Sequence, residues 1–160
     1  MPTSQLTARL LQQDDLSIIS QIENETNHFP WKYQHFADCL KAGYKTWGFI
    51  TDEGEIIGFA IIQKVIDEAH LLNICVKKSC QGQGVGRKIL DHVLNHANEH
   101  GFSLVILEVR RSNKRAQNLY FSMGFNEISV RKDYYPAEQG REDAIIMAKD
   151  LMRSTFFAVS

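Results

Sequence analysis

The 160 residues of this chain suit one domain, and a hydrophobic content of 44% is enough for a sizeable core. A net charge of −1 excludes a strongly basic nucleic-acid surface, although a local basic patch stays open. No run approaches the roughly 18 apolar residues of a membrane span, and Met1 to Leu11 lack the apolar centre of a signal peptide.

In chain order, Thr7 to Leu11 reads as a short strand. Asp14 to Glu25 reads as a helix, with Leu16, Ile19 and Ile22 at helical spacing. Asn27-His28-Phe29-Pro30-Trp31 breaks it, and a second helix covers Tyr33 to Lys41 and stops at Gly43. Trp47 to Thr51 and Glu55 to Val65 form two strands around the turn Asp52-Glu53-Gly54, and His70 to Val76 is a third, so an antiparallel meander is expected. Val85, Ile89, Leu90, Val93, Leu94 and Ala97 mark one face of a helix that Gly101 ends. Leu104 to Val109 is a near-continuous apolar run, the pattern of a strand buried on both faces. Ser112 or Asn113 caps a short helix ending near Gly124. Phe125 to Val130 and Ala144 to Ala148 close the sheet, and the loop between them contains Tyr134-Tyr135-Pro136. The sum is an α/β fold of the α+β type, a mixed and largely antiparallel sheet with one strand-helix-strand crossover. Residues 1–150 read as one domain and 151–160 as a C-terminal tail, whose Phe156 and Phe157 are open to packing on the sheet, contact with a partner or disorder.

The most informative stretch is Gln81-Gly82-Gln83-Gly84-Val85-Gly86-Arg87, set between a strand and a helix. Alternating glycines let a ligand approach the backbone, and the first N–H groups of a helix lack partners within it. Such an end carries partial positive charge and suits phosphate. The spacing is wrong for a nucleotide P-loop, because Gly86 is followed by Arg87 and Lys88 with no hydroxyl for magnesium. It is wrong for a dinucleotide fingerprint too, since the third glycine would fall at Arg87 or Ile89. What fits is Gln/Arg-x-x-Gly-x-Gly, filled by Gln81, Gly84 and Gly86.

That pattern resembles the pyrophosphate loop of the GNAT acetyltransferase superfamily, and the order of elements resembles the GNAT fold, a twisted sheet flanked by helices, throughout. Phe29-Pro30-Trp31, Asp67-Glu68-Ala69, Leu107-Glu108-Val109-Arg110, Asn126-Glu127, Tyr134-Tyr135-Pro136 and Arg141 to Met147 look like the RimI-type N-terminal acetyltransferases of bacteria. The resemblance implies transfer of acetyl from acetyl-coenzyme A to the N-terminal alanine of the eighteenth small-subunit ribosomal protein. It implies that backbone groups of Ile74, Cys75 and Val76 pair with pantetheine. It places the pyrophosphate on Gly82, Gln83, Gly84, Val85, Gly86 and Arg87, and sets Asn113 near the pantetheine arm. It makes Glu108 the general base and Tyr120 the general acid. It also implies a cytoplasmic enzyme with no membrane or direct nucleic-acid partner, monomeric in the simplest reading.

From the residues alone, Glu108 interrupts an apolar strand, where a structural reading pairs it with Arg110 or turns it to solvent. Tyr120 with Ala116 and Met123 also makes an ordinary packing stripe, and Asn113 an ordinary helix cap. The three cysteines, Cys39, Cys75 and Cys80, lack framework spacing and suggest reduced thiols, with Cys75 in the core and Cys80 a thiol without a base nearby. The six histidines form no metal set. His92, His96 and His100 read as a solvated helix face, and no metal is expected.

The identity of the acceptor is a matter of pKa. An α-amine titrates near 8 and a lysine near 10.4, so deprotonating lysine at neutral pH costs roughly 3.5 kcal/mol more. A single carboxylate base is thus better matched to an N-terminus. An acetyltransferase for small amines or for protein lysines, and a non-catalytic acetyl-coenzyme A sensor, remain as alternatives.

Overall fold

Apolar residues at helical and alternating spacing are buried where those periods predict. The computed structural model describes residues 5–151, so the tail with Phe156 and Phe157 lies outside the described residues. The elements are β1 (Thr7–Leu10), α1 (Leu16–Thr26), α2 (Tyr33–Lys41), β2 (Lys45–Ile50), β3 (Ile56–Val65), β4 (Glu68–Val76), α3 (Val85–Glu99), β5 (Leu104–Arg110), α4 (Lys114–Ser122), β6 (Asn126–Pro136) and β7 (Arg141–Asp150). The strands form a seven-stranded sheet in the order β1-β2-β3-β4-β5-β7-β6. The described residues fall into two compact units, 5–63 with 72–95, and 64–71 with 96–151.

In the first unit β1, β2 and β3 pair antiparallel. Asp14 and Asp15, expected inside the first helix, lie in a 3₁₀ turn before it. Arg9 pairs with Asp15 at 3.2 Å. α1 then turns Leu16, Ile19 and Ile22 inward, and α2 adds Phe36 and Cys39. These pack with Phe59, Ile61 and Cys75 into one cluster, in which the Phe36 and Phe59 rings meet edge to face at 5.5 Å. Gly43 ends α2 at φ +83°, a conformation open to glycine at little cost. From α3, Val85, Ile89, Leu90 and Val93 are buried.

One expectation about α3 is corrected. His92 is half-buried rather than solvated, with its ring edge-on to Trp47 at 4.5 Å and to Phe49 at 5.4 Å. The sheet is wide enough to reach the flank of the helix, so a residue beside the apolar stripe is covered too. His96 is half-buried against His100, with ring centroids 4.2 Å apart, and His100 alone of the three is exposed.

In the second unit Glu68 to Leu71 of β4 pair parallel with Leu104 to Leu107 of β5. β5 continues antiparallel to β7, and β7 to β6. β5 is not buried equally on both faces. Val105, Leu107 and Val109 are buried while Leu104, Ile106, Glu108 and Arg110 are half-exposed. An apolar run thus concealed an ordinary period of two. Nor are Tyr134 to Pro136 in a loop. They extend β6, with Tyr135 opposite Glu142 and Pro136 opposite Arg141. The connection is the four residues 137–140, closed by the Ala137 N–H on Gly140 O at 3.1 Å.

Gly58 on β3 marks a close approach. A Cβ built there would lie 2.7 Å from Ile89 Cδ1 and 3.0 Å from the Cys75 carbonyl oxygen. Gly58→Ala is therefore expected to destabilise the fold by about 1–3 kcal/mol through overpacking. Urea denaturation measures this, and an unchanged midpoint would show that β4 yields freely at Cys75.

Candidate active site

The sequence-predicted residues divide between the two units. Ile74, Cys75 and Val76 close β4, beyond the point where its pairing with β5 ends at Leu71↔Leu107. The glycine loop follows in the same unit. Gly82 and Gly84 adopt φ +76° and +83°, and a Cβ at Gly84 would meet nothing within 4 Å. The loop is tied back by Gln81 Nε2 donating to Val76 O at 3.1 Å. The Lys88 N–H closes the first turn on Gly84 O at 3.2 Å. The N–H groups of Val85 and Gly86 precede that bond, and helix geometry leaves such groups without intrahelical acceptors. An open, side-chain-free approach facing a helix start fits a pyrophosphate. Among the described residues no cluster of three or more His, Cys, Asp or Glu forms a metal site.

Cys75 is fixed by helix α1. Thr26 Oγ1 donates to Ile22 O at 2.9 Å, and lies 2.9 Å from Cys75 Sγ. Either the hydroxyl or the thiol can donate in this contact. Burial pushes the Cys75 thiol up to about 11, and the Glu23 charge adds to this, against hydrogen bonding from Thr26. Cys80, beside the loop, is buried as well.

The second unit holds Glu108, Asn113 and Tyr120. Glu108 stands on the half-exposed face of β5 and pairs with Arg131 Nε at 3.3 Å. Arg110, which one structural reading of the sequence paired with Glu108, has partners on β6 and β7. It donates to Pro136 O at 2.7 Å and Glu142 Oε1 at 2.9 Å, and its guanidinium lies 4.5 Å from the centre of the Tyr135 ring. Burial opposes charge on Glu142, but hydrogen bonds from Arg110 and Ser112 outweigh it and hold the carboxyl below its usual range. The Arg131 guanidinium lies 5.2 Å from the centre of the Tyr134 ring.

Two register breaks in β6 create this arrangement, the second between Arg131 and Tyr135. Within it Asp133 takes φ +51°, a conformation Asp tolerates. The strain is overdetermined, since Asp143 accepts the Asp133 N–H at 3.0 Å and Arg141 donates to its carbonyl at 2.8 Å. Burial raises both tyrosine hydroxyls above their ordinary range, and the Glu108 charge raises them further. Tyr120 is 5% exposed, and burial pushes it up to about 12. Asn113 caps α4, its Oδ1 accepting from the Ala116 N–H at 3.1 Å, which is the cap expected from sequence.

Sequence reasoning missed Arg131, Glu142 and Glu23. Arg131 and Glu142 had no readable signal, because their partners depend on the bulged register. Glu23 did have one. It lies four residues after Ile19 and seven after Leu16, on the apolar stripe of α1, and is 2% exposed.

This chain belongs to the GNAT acetyltransferase family, whose family model matches residues 10–125. Within the family it is 43% identical, over 142 residues, to the ribosomal protein bS18-alanine N-acetyltransferase of Escherichia coli K12, covering 89% of this chain and 95% of that protein. The crystal structure of the ribosomal-protein-S18-alanine N-acetyltransferase from Escherichia coli superposes with a TM-score of 0.86 at 41% identity, covering 92% of this chain and 94% of that one. A spermidine N-acetyltransferase chimera from Vibrio cholerae has a TM-score of 0.83 at 18% identity, over 95% of this chain and 99% of that one, a likeness of fold alone.

A thiol raised from 9.0 to about 11 has about a hundredfold less thiolate at pH 8. Cys75 in the folded protein should therefore react with iodoacetamide at least about a hundredfold more slowly than in the urea-unfolded chain. Peptide mass spectrometry reads the rates, and equal rates would contradict the burial of the thiol.

Proposed function

We propose that this chain acetylates the α-amine of the N-terminal alanine of ribosomal protein bS18, using acetyl-coenzyme A. The observation that carries the reading is the similarity to bS18-alanine N-acetyltransferases at 43% identity over nearly the whole of both chains. In this reading residues 1–150 work as one cytoplasmic catalytic domain, monomeric and without metal, membrane or nucleic acid. No described helix is long and apolar enough to cross a membrane.

Bound acetyl-coenzyme A supplies the acetyl group as a thioester. The chain supplies the rest. Backbone groups of Ile74, Cys75 and Val76 take the pantetheine arm as an added strand would be taken. The loop from Gly82 through Gln83, Gly84, Val85 and Gly86 to Arg87 holds the pyrophosphate with N–H groups. Asn113 keeps its cap through Oδ1, and its amide N–H groups are the chemistry with which it would hold the pantetheine arm. Glu108 accepts a proton from the substrate ammonium, directly or through a water, freeing the nitrogen lone pair. The nitrogen–carbon bond forms as the carbon–sulfur bond breaks, and Tyr120 gives its proton to the departing sulfur. The second proton lost by the nitrogen returns through solvent to Tyr120, while Glu108 releases its own to bulk water. A phenol pushed up to about 12 is protonated at neutral pH, as an acid must be. Phe29-Pro30-Trp31 in the first unit, and separately Tyr134-Tyr135 in the second, are apolar surfaces suited to the first residues of a peptide.

Three acceptors test the reading: a peptide with the free alanine N-terminus of bS18, the same peptide blocked at that amine and carrying a lysine, and a polyamine. The free N-terminus should give the highest kcat/KM. A preference for the polyamine would place the chain among small-molecule acetyltransferases, and a preference for the blocked peptide among lysine acetyltransferases.

Glu108→Gln should lower kcat/KM by roughly 10²–10⁴-fold near pH 7, the range for a lost general base. Part of the loss should return at higher pH, where the amine deprotonates unaided. A pH–rate profile superimposable on the parent's would reduce Glu108 to the partner of Arg131.

A further inference from the structure

Glu23 is a buried carboxylate that the reaction above does not use. Its side chain is closed off by neutral donors: Oε2 accepts the Trp31 N–H at 3.0 Å and Oε1 accepts from Asn73 Nδ2 at 3.2 Å. Among the described residues it makes no ion pair. A buried charge without a cation is costly, so its hydrogen bonds carry the argument for its presence.

Those bonds have a pattern. The backbone carbonyl of Glu23 accepts the Asn27 N–H at 3.1 Å, and its carboxylate accepts the Trp31 N–H. One residue therefore closes both ends of the segment Asn27 to Trp31, whose middle presents Phe29, 40% exposed. The anchor continues into the sheet. Glu23 and Thr26 are three apart on one face of α1, and their partners Asn73 and Cys75 are two apart on one face of β4. Trp31 is seated on the core beyond, 5.4 Å from the Phe36 ring.

We propose that Glu23 is a positioning residue for substrate selection. Its carboxylate locks Phe29-Pro30-Trp31 to β4, so that the first residues of the acceptor peptide meet a wall already in place. This rests on the peptide reading above. Asn73 is the second half of the device, because it points the carboxylate towards Trp31 and immediately precedes Ile74.

The test uses Glu23→Gln, Asn73→Ala and the double variant Glu23→Gln/Asn73→Asp in the full chain. Glu23→Gln keeps the shape and turns one acceptor into a donor facing a donor. It should raise KM for the alanine peptide about tenfold, leave kcat and the KM for acetyl-coenzyme A within about twofold, and speed amide hydrogen exchange across residues 28–36. The double variant restores complementarity. The new amide donates to the new carboxylate while its oxygen accepts from Trp31, so the peptide KM should return towards the parent's. Unchanged exchange and unchanged peptide KM in both single variants would overturn the proposal. So would a parallel loss in kcat and both KM values that tracks Tm, the mark of a merely structural residue. If Glu23→Gln does not fold, Asn73→Ala decides by the same split, with an expected peptide KM rise of about threefold from the single lost bond. A parent that ignores the peptide defeats the substrate reading alone, and the exchange rates then decide the role of Glu23.

Discussion

The four-residue parallel pairing of β4 with β5 is the constraint on which the arrangement rests. Antiparallel strands need only a turn between them, whereas parallel strands need a long crossover. The chain between Leu71 and Leu104 must therefore leave β4, pass through α3 and return. The start of that helix falls soon after the carboxyl end of β4, the end at which α/β sheets offer backbone to ligands. The same pairing stops at Leu107, and Glu108 is the next residue. Glycines at 82, 84 and 86 follow β4 within the first unit, and the carboxylate at 108 follows the paired stretch of β5 within the second.

Around Glu108 charge is distributed rather than neutralised. Arg110, which stands two residues away on the same face of β5, is held by Glu142 and the Pro136 carbonyl. Arg131 reaches Glu108 from an exposed position on β6, and exposed ion pairs of this kind are worth little, about 0–1 kcal/mol. Such a partner can be displaced by an incoming ammonium without much loss. The tyrosines nearby are kept neutral by burial and by the carboxylate. A carboxylate with a weakly held cation and protonated phenols around it suits a proton acceptor that must work repeatedly.

Much of this was legible in the sequence. α2 was bounded correctly because Pro30 and Gly43 punctuate it, and the glycine loop was found because alternation of Gly before a helix has few uses. What was not legible shares a cause: it depended on which neighbour a residue meets. Tyr134 to Pro136 were read as loop because the bulge before them turns on Asp133 at φ +51°, with no Gly or Asn to announce it. The structural alternative for Glu108 offered Arg110 by nearness in sequence, or solvent, whereas the bulged register brings Arg131. His92 was read by polarity alone, and aromatic side chains on β2 cover it. Glu23 was passed over although its place on the apolar stripe was visible. An acid at a core position is a signal that composition hides and periodicity shows.

The interleaving of the two units also sets a timetable for a chain emerging from the ribosome. Glu68 pairs with Leu104, 36 positions later (104 − 68). At roughly 5–20 residues per second, the β4 edge waits on the order of 2–7 s for its parallel neighbour to be made. The first unit is finished only when residue 95 appears, after eight residues belonging to the second have already been laid down. Neither unit can be completed by a nascent chain that stops at the end of β4. Structure in this protein is thus gained late and at long range, the condition under which strand edges are most exposed to unintended pairing.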